Sequence, residues 1–170
     1  ENVTGIAYVY DDSYGTVGGG LGHTAGGPAS TVAGGSINDA HGGSSTVGGG
    51  FDNRTGTSGT EQGYAATVPG GEENVAQGDH SFAAGRRARA EGTGSFVWGD
   101  STTDPVESGT QNEVVFQASG GVVLWSDSGN FNGVKLPAGD SAWTTASARE
   151  SKAAVEPVDP RAVLAQLERV

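Results

Sequence analysis

A repeated pair of β-prone residues, followed within three residues by glycine, constrains this fold more than any other feature. The pair occurs six times, and its apolar members, which we interpret as the inward-facing anchors of the repeat, are Val17, Val32, Val47, Val68, Phe82 and Phe96. Their spacings are 15, 15, 21, 14 and 14 residues. A nearly fixed period of this kind is typical of architectures in which one short unit stacks on the next. The repeat therefore predicts a solenoid.

The composition predicts a thin core. Leu, Ile, Val and Phe together make up 30 of the 170 residues, and the net charge is −11. That combination is typical of chains that cannot bury enough apolar surface to fold. A solenoid escapes this limit, because each turn needs only one or two apolar side chains when its neighbours cover it. We expect several copies of the chain to share one core.

The charge balance and the missing residue types exclude several classes of function. Acidic residues number 20 against 9 basic ones, and phosphate binding needs a basic stripe, so no nucleic-acid partner is expected. The acidity fits a protein kept soluble in strong salt or an ordinary acidic extracellular protein. Thiol chemistry is excluded because Cys is absent. No apolar run approaches the ~18 residues of a membrane span, so we expect no membrane insertion.

Each unit predicts two short strands joined by tight turns. A residue predicted to face outward in a turn follows each glycine run: His23, Asn38, Asn53 and Asn74. Asn tolerates the left-handed backbone conformation that such turns need. Small residues two positions further on indicate a narrow interior: Ala25, Ala40, Thr55 and Ala76. Six extra residues around 57–62 predict a surface loop on one side of the solenoid.

The repeat stops after Asp100, and a different β pattern follows. Residues 113–117, 122–125 and 133–136 predict three short strands separated by turn clusters. We therefore divide the chain into three parts: a β-roll repeat head at 1–100, a β-rich neck at 101–143 and a helical segment at 144–170.

The last residues predict a short helix. Asp159 is typical of an N-cap, and Pro160 suits the first helical position. An apolar stripe follows at helical spacing: Val163, Leu164, Leu167 and Val170. A helix of about ten residues is marginal in water, so this stripe is expected to pack on another copy or on residues beyond 170. Because Glu1 is not an initiator Met, we also expect a mature form or a fragment of a longer protein.

Residues 14–100 resemble the head repeats of trimeric autotransporter adhesins and related phage tail fibres. The shared motif is Ser/Thr-Val-x-Gly-Gly-x-x-Asn-x-Ala-x-Gly, and it is matched by residues 45–53, 68–78 and 81–90. The resemblance implies an all-β fold, a left-handed parallel β-roll with three chains wrapped about one axis. The spacings of 15 and 21 residues depart from the family period of about fourteen.

Residues 112–170 resemble the lead-in to the intramolecular chaperone domain that ends many phage tail spikes and some bacterial surface fibres. The likeness rests on residues 116–122, residues 133–136 and Trp143. In that family a Ser and a Lys five residues later form a self-cleaving pair, and the matching residues here are Ser147 and Lys152. A desolvated Lys can activate a hydroxyl nucleophile. The alternative is that both residues only lead into the helix.

Other polar residues suggest weaker possibilities, and no cofactor or metal is expected. His23, His41 and His80 are scattered, and a turn role is predicted for His23. The basic cluster formed by residues 86, 87 and 89 either binds an anionic glycan or neutralises neighbouring acids such as Glu91. The sequons 2–4 and 53–55 are N-glycosylation acceptors, for which we expect surface exposure.

Three functions remain open. The first is a non-enzymatic trimeric fibre or adhesin, exposed outside the cell or on a virion, that attaches to a host receptor, a glycan or a surface. The second is a self-processing fibre protein that uses Ser147 and Lys152 to release an intramolecular chaperone. The third is a structural filament subunit whose units stack end to end.

Overall fold

The computed structural model describes residues 8–9, 14–130 and 132–147, and in this part of the chain all regular structure is β. The chain divides into two compact units, with the boundary between Ser119 and Gly120. The first unit is a parallel β-solenoid, which confirms the architecture predicted from the repeat. The predicted helix after Asp159 lies outside the described residues.

The solenoid consists of two parallel sheets, and each turn contributes one strand to each of them. Sheet A contains β1 (Tyr8–Val9), β3 (Thr24–Ala25), β5 (Asp39–Ala40), β7 (Arg54–Thr55), β10 (Val75–Ala76), β12 (Ala88–Ala90) and β14 (Val106–Glu107). Sheet B contains β2 (Thr16–Val17), β4 (Thr31–Val32), β6 (Thr46–Val47), β8 (Thr67–Val68), β11 (Phe82–Arg86), β13 (Phe96–Gly99) and β15 (Val114–Gln117), with β9 (Gly71–Glu72) beside β11. Stacking therefore continues beyond Asp100, because β14 and β15 extend both sheets.

One inward column from each sheet fills the core. Strand register places Val17, Val32, Val47 and Val68 in one column of sheet B, and Ala25, Ala40, Thr55 and Ala76 in one column of sheet A. All of these except Val17 are completely buried. The prediction of a narrow interior is confirmed, because two stacked sheets leave room for Val opposite Ala and little more.

At Phe82 the inward-facing position moves by one residue relative to the sequence repeat. Phe82 pairs with Thr67, and Phe96 pairs with Phe82, so both rings continue the outward Thr column. Ala83 and Val97 take the inward position instead, and both are completely buried. The prediction that Phe82 and Phe96 are core anchors is therefore wrong. The interior accepts Ala or Val at this point, and a ring of that size fits only on the outer surface.

Two corners per turn use left-handed backbone conformations. One corner holds Ile37, Asp52, Glu73 and Arg87 at φ values of 56°, 52°, 56° and 54°. The other holds Ala29, Ser44, Ala65 and His80 at 55°, 55°, 53° and 57°. Gly50 shows why glycine precedes the first corner, since it has φ +91° and a Cβ there would meet the Gly71 carbonyl of the next turn.

The second unit contains a three-stranded antiparallel sheet. Its strands are β16 (Gly121–Trp125), β17 (Asn132–Pro137) and β18 (Thr144–Ser147), in that order. The predicted strands at 122–125 and 133–136 are confirmed. The predicted strand at 113–117 is also present, but it belongs to the solenoid as β15.

Candidate interaction surface

Two outward columns of sheet B carry no charged side chain, whereas Glu72 and Arg86 lie beyond them at the ends of β9 and β11. The first column is Thr16, Thr31, Thr46, Thr67, Phe82, Phe96 and Val114, as fixed by strand register. The second column, two residues further along each strand, is Gly18, Ala33, Gly48, Pro69, Ala84, Trp98 and Phe116. We call these fourteen residues the sheet-B face. It changes from Thr and small residues at the first turns to aromatic residues at the last ones.

The aromatic end of the sheet-B face is ordered and open to solvent. The rings of Phe82 and Phe96 stack at 4.7 Å between centroids with 2° between their planes. Phe116 follows at 5.5 Å from Phe96. Trp98, Phe116 and Val114 are 37%, 56% and 62% exposed. Parallel register aligns these rings in a row, and the row leaves an apolar surface uncovered in the single chain.

Charged side chains lie instead on the outer surface of sheet A, at the adjoining corner and at the ends of β9 and β11 in sheet B. Three arginines each face an acid on a neighbouring turn: Arg86 with Glu72 at 3.3 Å, Arg87 with Glu73 at 2.7 Å, and Arg89 with Glu107 at 3.5 Å. The hydrogen bond to Glu73 raises the pKa of Arg87. The basic cluster therefore neutralises acids, as one of its two predicted roles requires, although its partners are these three acids rather than Glu91.

A ladder of buried amides runs beneath the first corner. Asn53 Nδ2 donates to the carbonyl oxygens of Gly49 and Gly71, both at 2.9 Å. Asn53 Oδ1 accepts from the backbone N–H and the side-chain amide of Asn74, both at 3.0 Å, and Asn38 Oδ1 accepts from Asn53 in the same way. The side chains of Asn53 and Asn74 thus bond their own turn and the turns on either side, and that of Asn38 bonds its own turn and the next. The ladder fixes the stacking register.

The ladder ends on two residues that are not Asn. His23 begins it, since its Nδ1 accepts from the Asn38 N–H at 3.1 Å and its Nε2 lies 3.1 Å from the Gly35 carbonyl oxygen. Nε2 therefore carries the proton of a neutral imidazole. Ala88 ends the ladder, because its N–H donates to Asn74 Oδ1 but its side chain offers nothing to the next turn.

The ladder corrects two predictions. His23 and the Asn residues that follow it were expected to face outward in turns, but His23, Asn38, Asn53 and Asn74 are at most 1% exposed. Asn53 was also expected to be an exposed glycosylation acceptor, and its buried amide is inaccessible in the folded chain. The left-handed residue is the one before each amide, so the corner turns the amide inward.

The predicted loop and the predicted cleavage pair lie apart from the sheet-B face in the chain. Residues 57–62 form an exposed loop between β7 and β8, as predicted. Ser147 is the last residue of β18, while Lys152, like the sequon at 2–4, lies outside the described residues. Within the described ranges no group of three His, Asp or Glu side chains is placed to hold a metal ion.

No protein-family model, curated protein or solved structure matches this chain. Among the residues that the structure describes, none belongs to a helix long and apolar enough to cross a membrane.

The sheet-B face was not predicted from the sequence. A signal was present, since Phe82 and Phe96 are 14 residues apart and Trp98 and Phe116 follow close behind. Only the strand register shows that all four side chains lie on the outside of one sheet.

Proposed function

We propose that this chain is a non-enzymatic fibre protein of a cell or virion surface, and that three copies form a rigid head or stalk for attachment. The head is a left-handed parallel β-roll, and its partner is a host receptor, a glycan or another surface. The confirmed solenoid supports this proposal, because stacked turns give an extended, stiff body with short connections.

The uncharged sheet-B face is the observation that carries the proposal. A chain with a net charge of −11 repels its own copies, and charged surfaces make that repulsion strongest at close contact. The sheet-B face offers a long contact without like charges, and burying its exposed rings against another copy is favourable because apolar surface leaves water. Copies that meet there leave the charged outer surface of sheet A free to face solvent and ligand.

The thin core supports the same conclusion. Eight of the twelve buried hydrophobic residues in the described part are Ala, which contributes little apolar area per turn. The larger apolar side chains of the solenoid, such as Trp98 and Phe116, lie on its outside. Assembly through the sheet-B face would bury those side chains and add the apolar burial that one chain lacks.

Light scattering after size exclusion, in low and in high salt, tests the assembly. We expect about three times the chain mass, with salt favouring assembly because it screens the acidic surfaces. The variant Thr46→Glu/Thr67→Glu places two carboxylates on the sheet-B face and should give monomers. Thr24→Glu is the control for position, because Thr24 lies on the outer surface of sheet A.

Two results would contradict the proposal. One is a parent chain that is monomeric in both buffers. The other is a Thr24→Glu chain that dissociates as readily as the double variant, which would mean that added charge alone, rather than its place, drives dissociation. Attachment is tested by comparing the parent and the double variant for retention on immobilised cells or surface polysaccharides. We expect the monomeric variant to lose retention because it loses multivalency.

A further inference from the structure

The three-stranded sheet of the second unit has no core of its own. Among residues 120–130 and 132–146 no residue is buried. Its large apolar side chains are open to solvent, with Leu124 57%, Trp125 44% and Val134 41% exposed. A sheet of this size needs a second layer against its apolar face to be stable. The described part of the second unit contains no such layer.

Strand register shows which face needs covering. Val122 pairs with Leu136, and Leu124 pairs with Val134, so the four aliphatic side chains share one face. Thr145 pairs with Val134 and adds the third strand to that face. We call these five residues the clamp face, and none of them is charged. The opposite face is mixed, because Val123 and Trp125 lie there beside the charged Lys135.

We propose that the clamp face packs against the clamp faces of other copies of this chain, so that the second unit is a dedicated assembly element. This inference rests on the proposed trimer and deepens it by naming a second contact. It also gives the unit a function that does not require cleavage at Ser147.

The areas of the sheet-B face and the clamp face favour a second copy of the chain as the partner that covers the clamp face. Seven strands about 4.8 Å apart make the sheet-B face about 34 Å long, and at about 10 Å wide it covers about 340 Å². Three strands of about five residues give the clamp face a footprint of about 240 Å². A typical stable interface buries about 800 Å² per partner, so neither face is sufficient alone. A trimer held by the sheet-B face therefore needs further contact area, and the clamp face offers it.

Charge also favours copies over the tail of the same chain. Residues 148–170 contain eight charged side chains and two prolines. A segment with that composition would bring charges to the edge of an uncharged face. A second clamp face brings none, and its aliphatic pairs match in size. The competing occupant, residues 148–170, becomes one outcome of the test.

Cysteine cross-linking tests the inference directly, because the chain has no Cys and a single introduced thiol can form a disulfide only with another copy. Thr145→Cys places the thiol on the clamp face. Thr144→Cys is the matched control, since it changes the neighbouring exposed Thr to the same residue on the opposite face. Both are made in the full chain and oxidised under mild conditions, and the fraction of covalent dimer is read on a denaturing gel.

We expect Thr145→Cys to give at least fivefold more covalent dimer than Thr144→Cys. A trimer holds one thiol per chain, so the dimer band should approach two-thirds of the chains and leave the rest single. Equal cross-linking of the two variants would indicate random collision and overturn the inference. A trimeric Thr145→Cys chain that forms no cross-links would also overturn the inference. In that case, slow labelling of the thiol by a small maleimide would identify residues 148–170 as the segment that covers the clamp face.

Light scattering on the same samples separates the two proposals. If the chain is trimeric but Thr145→Cys does not cross-link, the assembly stands and the clamp is wrong. If both variants and the parent are monomers, the proposed function itself fails. As a second check, Leu124→Asp should weaken the trimer at least tenfold in dilution experiments while the circular dichroism of the solenoid is retained. An unchanged dissociation midpoint would contradict the clamp.

Discussion

Replacing Asn53 is the most stringent test of the idea that the amide ladder holds the solenoid together. Its side chain makes five hydrogen bonds, to Asn38, Gly49, Gly71 and twice to Asn74. Asn53→Ala removes all five and leaves the buried Asn74 N–H without its acceptor. An orphaned buried N–H costs about 1–3 kcal/mol, and each other bond contributes about 0.5–1 kcal/mol net. We expect a loss of about 4 kcal/mol, a large fraction of a typical domain's stability.

Two further variants separate hydrogen bonding from volume and from surface effects. Asn53→Asp keeps the shape and the acceptor oxygen but replaces three donor contacts with a buried carboxylate that faces carbonyl oxygens. It should destabilise the chain at least as much as Asn53→Ala. Arg54→Ala changes the next residue, which is exposed, and should stay within about 0.5 kcal/mol of the parent.

Guanidinium denaturation followed by circular dichroism gives these differences. All variants are compared at one protein concentration, because assembly makes the midpoint depend on concentration. The reasoning is refuted if Asn53→Ala lies within about 1 kcal/mol of Arg54→Ala, since buried amide bonds cannot then be what fixes the stack. If Asn53→Asp is as stable as the parent chain, only the role of the donor contacts is refuted.

Three more variants probe single positions. His23→Asn should gain about 1 kcal/mol, because Asn can accept from both the N–H and the side-chain amide of Asn38, and a lower denaturation midpoint would contradict this. Ile37→Gly should also gain about 1 kcal/mol by relieving the left-handed strain of a half-exposed β-branched residue, and a loss would show that its side chain stabilises the corner. Asp100 accepts from the N–H of Ser119 at 2.7 Å, and these hydrogen bonds hold its pKa well below the usual range. The stabilisation that the Asp100 carboxylate gives is therefore complete above the ordinary Asp pKa of about 4, and it is lost only as the pH falls towards the lower pKa of the folded chain. A Ser119 amide signal in NMR that titrates near pH 4 would refute this assignment.

The sequence predicted the stacking well because stacking repeats a local pattern. Val at one position and a small residue at another recur in every early unit, and both columns are buried as expected. The prediction failed at Phe82, since a period in the letters does not say which of two adjacent residues points inward. Strand pairing decides this, and it places Ala83 inside because the interior has no space for a ring.

The amide ladder was missed for a different reason. Asn is the usual non-glycine residue in left-handed turns, so each Asn was assigned to the corner itself. The corner is instead formed by the preceding residue, which is Ile37, Asp52 or Glu73 in successive turns. Such different residues share no sequence signal for a positive φ. Their positive φ is imposed by the Asn that follows, because its side-chain amide must lie inside the solenoid and bond the neighbouring turns.

The solenoid uses two means of stabilisation along its length, and they change over at the same place. The amide ladder joins the early turns and ends at Ala88, which has no side-chain amide to offer the next turn. The outer surface of sheet B becomes aromatic at Phe82 and remains so through Phe116. The early turns are thus held by hydrogen bonds within one chain, whereas the later turns offer apolar rings that only another layer can bury. Under the proposed assembly, the end of the solenoid with the weaker internal ladder is the end with the larger contact between copies.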